Sequence, residues 1–287
     1  MSRDFLKEIV KPQFPNIDIV AIHGLNAWKN PNPAEHTWTA EGKLWLRDYL
    51  PQTAPNARVL LAGYNSNAAL GTTTLDIRGQ ANNLLNRLDA MRKEDPDRPL
   101  IFICHSMGGL VVKQAIITAS SDNNYKKIVS STYGIVFFGT PHNGGNHAGI
   151  GSVAAKIARA VLGNPNSGFM EVLQSRSYAL DNITESFRPF LEDFQFISFY
   201  ETKNFRHTRD VSLYRYHTLN PLELTHLLTL TQLIVPKKSA VLGLAPEREK
   251  QIGLAADHSG ICKFSSPSDP MYQQVSDNIT TMIDEAI

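Results

Sequence analysis

The chain has 287 residues, with 28 Lys plus Arg against 27 Asp plus Glu, a formal net charge of +1 and two cysteines. The length suits one large α/β domain or two small ones, with ample chain to bury a core, and the near-neutral balance gives no electrostatic reason to expect nucleic acid or an anionic membrane surface as the main partner. Two cysteines exclude a disulfide-rich secreted scaffold and a cysteine-based zinc module. The opening segment, Met1 to Glu8, has neither the apolar core nor the small-residue cleavage site of a signal peptide. The most apolar region, Leu219 to Val235, carries Glu223 and His226, so no transmembrane span is expected. The chain reads as a cytoplasmic globular protein.

Short apolar, β-branched runs recur along the chain: Ile17–Ile22, Ala57–Ala62, Pro99–Cys104, Tyr133–Phe138 and Phe194–Tyr200. Leu233–Val235, extended by Ser239–Leu242, reads as a sixth. Runs that are apolar on both faces suit strands of a parallel sheet buried between two layers of helices. Helical spacing falls between them. Leu44, Leu46 and Leu50 lie in one candidate that Pro51 stops; Leu84, Leu85, Leu88 and Met91 lie in another that ends at Asp95-Pro96. Leu110, Val111, Gln114, Ala115 and Thr118 continue from a glycine pair into a third. Met271, Val275, Ile279 and Met282 mark a terminal helix started by Ser268-Asp269-Pro270. Alternating strand and helix predicts an α/β fold, a mostly parallel sheet with helices on both faces. Residues 1–287 read as a single domain with lid-like insertions at about 143–190 and 202–232. The first insertion includes a predicted helix over 152–162, carrying Val153, Ile157, Ala160 and Val161 on one face. Substrate access is placed at the insertions.

Cys104-His105-Ser106-Met107-Gly108-Gly109 lies where the third strand ends and a helix begins. A serine at such a turn is held with its hydroxyl exposed above the sheet edge, and small residues two before and two after let strand and helix approach. The usual Gly-x-Ser-x-Gly pattern has Cys104 in its first position here. The Met107 N–H, at the helix N-terminus, then points at a developing oxyanion. The second donor is expected from the loop after the first strand, His23-Gly24-Leu25-Asn26, with the Leu25 N–H as the donor.

A serine nucleophile needs a base, and the base needs a carboxylate to set its tautomer. In α/β-hydrolases the chain order is nucleophile, acid, histidine. Six histidines follow Ser106, namely His142, His147, His207, His217, His226 and His258. Only His258 lies on a loop past the last strand and before the terminal helix, and it is the expected base. Glu201, ending the Phe196–Glu201 run, is the expected acid; Asp210 in the next loop is the alternative, and Asp257 is disfavoured because adjacency turns it from the ring. His142, in Gly139-Thr-Pro-His-Asn-Gly-Gly145, reads as a support for the catalytic loop through hydrogen bonds. His142 and His147 have no third ligand at metal spacing, so no metal is expected.

These segments, Asp18–Leu25, Cys104–Leu110, Phe137–Gly144, the Phe-Tyr-Glu-Thr stretch, Ile234-Val-Pro with Ser239-Ala, and Asp257-His with Cys262-Lys-Phe264, occur in a set order. The ordered set resembles the SesB-like lipase/esterase domains of fungal NLR-type (STAND) proteins. It is similar, more distantly, to mitochondrial serine-active-site-containing proteins and to the inositol-deacylase branch of lipases. The resemblance spans about residues 17 to 285. It implies an α/β-hydrolase acting on acyl esters, often lipids, with Ser106, Glu201 and His258 at the matching positions and an effector role ahead of a nucleotide-binding module. No Walker-type phosphate loop occurs in the chain.

The expectation is a serine esterase or lipase without a cofactor. His23, Gly24, His105, Gly108 and His142 support its site. Its expected partner is an acyl ester or lipid, with room for transient membrane-surface contact and for a homo-oligomer. An acyltransferase or thioesterase would share the same residues, and a lipid-binding or oligomerising module without turnover is the alternative of another class. Cys104 and Cys262 read as reduced packing thiols at the two ends of the site.

Overall fold

The computed structural model describes residues 5–25, 32–66, 77–143, 149–162, 177–204 and 233–287. Its strands are β1 (Phe5–Val10), β2 (Ile17–Ile22), β3 (Thr39–Ala40), β4 (Lys43–Leu44), β5 (Ala57–Gly63), β6 (Leu100–His105), β7 (Thr132–Phe138), β8 (Gln195–Glu201) and β9 (Glu249–Leu254). The helices used below are α1 (Pro33–Thr37), α2 (Trp45–Asp48), α3 (Ile77–Met91), α4 (Gly108–Ser121), α5 (Lys126–Ser131), α6 (Ile150–Leu162), α7 (Ser177–Phe187), α8 (Lys237–Ala240) and α9 (Pro270–Ala286). Seven strands form one sheet in the order β1-β5-β2-β6-β7-β8-β9, while β3 and β4 make a separate short hairpin. All neighbours in the large sheet are parallel except β1, which runs antiparallel to β5 at one edge.

Side-chain alternation divides the core into two layers. In β2, Ile17, Ile19 and Ala21 enter one layer, and Val20 and Ile22 enter the other. In β6, Ile101 and Ile103 oppose Leu100, Phe102 and Cys104 in the same way. Helices α3, α4, α6 and α7 cover one face, and α9 with the Trp38–Leu50 segment covers the other. Strands apolar on both sides are therefore what the layering requires, and the fold is the α/β arrangement that the sequence predicts. Helix α9 begins as expected, with the Asp269 carboxylate accepting the Met271 N–H at 2.9 Å and Pro270 in the first turn.

Two expectations need correction. Leu233–Val235 with Ser239–Leu242 is not a strand: the first part is irregular, and Lys237–Ala240 is helix α8 after Pro236. Val235 is buried in the apolar core, and its N–H donates to the Glu201 carboxylate instead of to a sheet neighbour. The last strand is instead β9, whose sequence EKQIGL has little apolar pattern because it lies at the sheet edge. The expected helix at Leu44–Leu50 is broken into β4, the four-residue α2 and a tight turn at Leu50–Gln52. The first insertion contains α6, which extends the helix expected over 152–162, and a second helix, α7. Residues 144–148 with His147, residues 163–176, and residues 205–232 of the second insertion with Asp210, His207, His217 and His226, lie outside the described residues. No helix among the described residues is long and apolar enough to cross a membrane.

Candidate active site

The described residues of the expected site sit at or beyond the carboxyl ends of the parallel strands, where loops diverge and leave a crevice. His23 and Gly24 follow β2, Ser106 follows β6, Gly139 follows β7, Glu201 closes β8, and His258 lies on the loop after β9.

Ser106 occupies the left-handed region, with φ +52°. For a residue with a Cβ this costs about 1–3 kcal/mol and persists only when the surroundings enforce it. They do so with three hydrogen bonds. The Ser106 N–H donates to the Phe138 carbonyl at 2.8 Å, and the Ser106 carbonyl accepts from the Gly109 N–H at 3.1 Å and the Thr140 hydroxyl at 3.0 Å. The first turn of α4 fits under β2 only because Gly108 has no side chain: a Cβ there would stand 2.4 Å from the His23 carbonyl oxygen. Cys104, in place of the usual glycine, is buried in the core without disturbing the turn. Burial pushes its thiol well above the ordinary value and pushes Cys262 up to about 12, so both are protonated and inert.

The imidazole of His258 comes to Ser106 from the other side of the crevice, with Nε2 2.9 Å from Oγ. Its Nδ1 is 3.2 Å from Glu201 Oε2. That approach lies off the N–H direction, so the pair is at ion-pair distance without an aligned hydrogen bond. Such contacts tighten in many enzymes only when substrate is bound. The other carboxylate oxygen, Oε1, accepts the Val235 N–H at 2.7 Å. Glu201 and His258 are both buried. Gly139, at φ +56°, passes under the ring, and a Cβ there would stand 3.1 Å from His258 Nδ1. Asp257 is turned away as expected, its Oδ1 accepting the N–H groups of Ser259 (3.1 Å) and Gly260 (2.8 Å).

The loop after β2 closes over the serine. A Cβ on Gly24 would stand 2.8 Å from the Ser106 Cβ, which brings the Gly24–Leu25 peptide to the nucleophile. His23 holds that peptide. Its Nε2 accepts the Tyr64 N–H at 3.1 Å, which leaves the ring proton on Nδ1, and Nδ1 donates to the Gly24 carbonyl at 2.7 Å. Because the peptide is planar, fixing the Gly24 carbonyl also fixes the direction of the Leu25 N–H. Burial lowers the His23 pKa to about 4, so the ring is neutral near pH 7. Tyr64 stacks on it at 4.4 Å. Among the described residues, neither the Leu25 nor the Met107 N–H donates to a protein acceptor.

His142 departs from its expected role. Its ring is buried, burial holds its pKa well below the ordinary value, and neither ring nitrogen has a hydrogen-bond partner among the described residues. It packs edge-on against Phe137, with centroids 4.5 Å apart, and supports the site through its backbone N–H, which donates to the Ser239 carbonyl at 2.7 Å. The Ser239 hydroxyl bonds the Asn143 carbonyl, so α8 and the turn after β7 are tied together. Val235, Thr140, Gly139 and Tyr64 were not recognisable from sequence, since each acts through its main chain or through a non-local contact. Among the described residues no group of three His, Cys, Asp or Glu is arranged to hold a metal ion.

Comparison with solved structures gives the architecture directly. The mature lipase BlEst2 of Bacillus licheniformis superposes with a TM-score of 0.53 at 15% identity, covering 95% of this chain and 98% of that one. An alpha/beta hydrolase superfamily protein from Enterococcus faecalis gives 0.50 at 10% identity, over 98% of this chain and 94% of that one. The chain has an α/β-hydrolase fold. Within this hydrolase fold, residues 18–159, from β2 through α6, match a family model described as "Putative serine esterase (DUF676)". Protein SERAC1 of Danio rerio is 27% identical over 276 residues, and that of Bos taurus 28% over 276 residues. Each alignment covers 90% of this hydrolase-fold chain but 38% of the relative, so the chain spans well under half the length of the relatives it matches.

Proposed function

We propose that this chain is a serine hydrolase that cleaves carboxylic esters through an acyl-enzyme. The observation that carries the reading is a serine strained at φ +52° with its hydroxyl 2.9 Å from a buried imidazole. In the proposed cycle Ser106 Oγ attacks the ester carbonyl carbon and His258 Nε2 takes the hydroxyl proton. Glu201, 3.2 Å from Nδ1, stabilises the imidazolium that results. The N–H groups of Leu25 and Met107 receive the negative charge on the tetrahedral oxygen. His258 then returns its proton to the departing alcohol, leaving Ser106 acylated. A water, deprotonated by the same imidazole, repeats the attack and releases the carboxylic acid. No step needs a metal or cofactor. The family match over residues 18–159 supports an esterase, and it contains both the Gly24 loop and Ser106.

In this reading residues 1–287 work as one catalytic domain, the insertions shape the acyl pocket, and the substrate is an uncharged or lipid-like ester. The resemblance to SesB-like domains supports an effector role in an NLR-type protein. A panel of p-nitrophenyl esters of increasing acyl length, with Ser106→Ala as the control, tests the activity. Turnover by wild type and its loss in the variant are expected. A wild type that hydrolyses none of the panel, or a Ser106→Ala variant as active as wild type, contradicts the reading. Turnover that depends on an added alcohol acceptor points to acyl transfer with the same residues.

A further inference from the structure

The off-line contact between Glu201 and His258 leaves the imidazole without a well-directed hydrogen bond at Nδ1. Something else must decide where the ring stands over Ser106. His105, the last residue of β6, touches both loops that flank the serine. Its Nε2–H donates to the main-chain carbonyl of His258 at 3.0 Å, and the two rings lie 5.2 Å apart. On the opposite side, its Nδ1 lies where a Cβ on Gly24 would come within 2.9 Å. Trp38 packs edge-on against the same ring at 6.5 Å, which limits its movement. A carbonyl can only accept, so the ring proton is on Nε2, and Nδ1 is buried without a partner. A buried nitrogen left unpaired is tolerated at a cost to stability, which suits a ring retained for the bond at its other nitrogen. Desolvation first, then repulsion from His258 and Lys263, lowers its pKa to about 3, so it carries no charge that would oppose a proton on His258.

We propose that His105 is a positioning residue that sets the height of the His258 loop above Ser106 and spaces it from the Gly24 loop. Its bond to the His258 carbonyl fixes the main chain from which the imidazole hangs, while its ring fills the gap to the loop carrying the Leu25 N–H. His105 itself does not touch the reacting atoms. The inference rests on the serine-hydrolase reading for its effect on rate, but not for its effect on His258.

The test compares His105→Leu, which removes the donor, with His105→Gln, whose side-chain amide can reach the same carbonyl. Both are made in the full chain labelled with 13C-histidine, with the His258 ring resonance assigned by its loss in His258→Ala. His105→Leu is expected to lower kcat about 10- to 100-fold, the size expected for a misplaced catalytic group, with KM unchanged. It should also move the His258 resonance, and His105→Gln should restore both. Wild-type kcat and an unmoved resonance in His105→Leu, or a His105→Gln as impaired as His105→Leu, would overturn the proposal. If His105→Leu does not fold, His105→Gln decides alone: wild-type rate and resonance support the bond, and altered ones overturn it. If wild type hydrolyses no ester, the enzyme reading fails separately and the resonance still reports on the anchoring of His258.

Discussion

Asp18 and Glu201 are carboxylates buried at opposite ends of the same sheet, and they are treated in opposite ways. Asp18, on β2 at the amino-terminal edge, is enclosed by three arginines. Arg58 binds both its oxygens at 2.7 Å, Arg98 reaches Oδ1 at 3.2 Å, and Arg92 contacts Oδ2. Glu201, at the carboxyl edge on β8, has one main-chain hydrogen bond and a histidine placed off-line. Burying either charge is costly unless it is paired. At Asp18 the cost is met within the ground state, which fastens β2, β5 and the end of α3 together. At Glu201 it is met only in part, so the carboxylate gains most when a positive charge forms on His258. Under-satisfied charge at one end and over-satisfied charge at the other separates the part of the fold that reacts from the part that holds it.

Exchanging the losses tests that separation most strongly. Glu201→Gln is expected to cut kcat by about 10³- to 10⁴-fold, as in other triads that lose their acid, with little change in melting temperature. Asp18→Asn should do the reverse, lowering the free energy of unfolding by about 3–5 kcal/mol because the buried Arg92 loses its anion and Arg58 and Arg98 keep only their pairs with Glu8 and Asp95, while the folded fraction keeps its kcat. Kinetics and urea unfolding on both variants check this. Equal stability losses in the two would remove the contrast.

A smaller effect concerns pH. Burial holds His23 at about 4 and His105 at about 3, both below their ordinary value of 6.5. The unfolded chain therefore takes up protons at these positions before the folded chain does. Their contribution to stability is complete above pH 6.5 and declines as pH falls toward 4 and then 3, the folded-state values. The urea midpoint should drop between neutral pH and pH about 4.5, and His23→Gln should flatten part of that drop. A midpoint that rises on acidification would mean that the buried histidines at the site end are not held neutral.

Much of this was legible in the sequence for a physical reason: the signals were local. Strands buried on both faces show as continuous apolar runs, and β2, β5, β6, β7 and β8 were all recognised that way. The turn at Ser106 announces itself by the strand before it and the glycines after it. The histidine could be chosen by its place after the last strand, although the strand itself, EKQIGL, was not recognised, because at an edge only Glu249 and Leu254 are fully buried. Asp18 was visible as a polar residue inside an apolar run, yet nothing local signals partners 40, 74 and 80 residues away. The Val235 N–H on Glu201 was hidden for the opposite reason. Its Leu-Ile-Val context imitates a strand, and a main-chain donor leaves no trace in side-chain chemistry.

The central claim is that Ser106 is a nucleophile activated by His258. It is tested most directly by reacting the folded chain with a fluorophosphonate and locating the adduct by mass spectrometry. The account predicts one adduct per chain, on the peptide containing Ser106, absent in Ser106→Ala and slowed strongly in His258→Ala. An unlabelled wild type, or a Ser106→Ala variant labelled as fast as wild type, would contradict it.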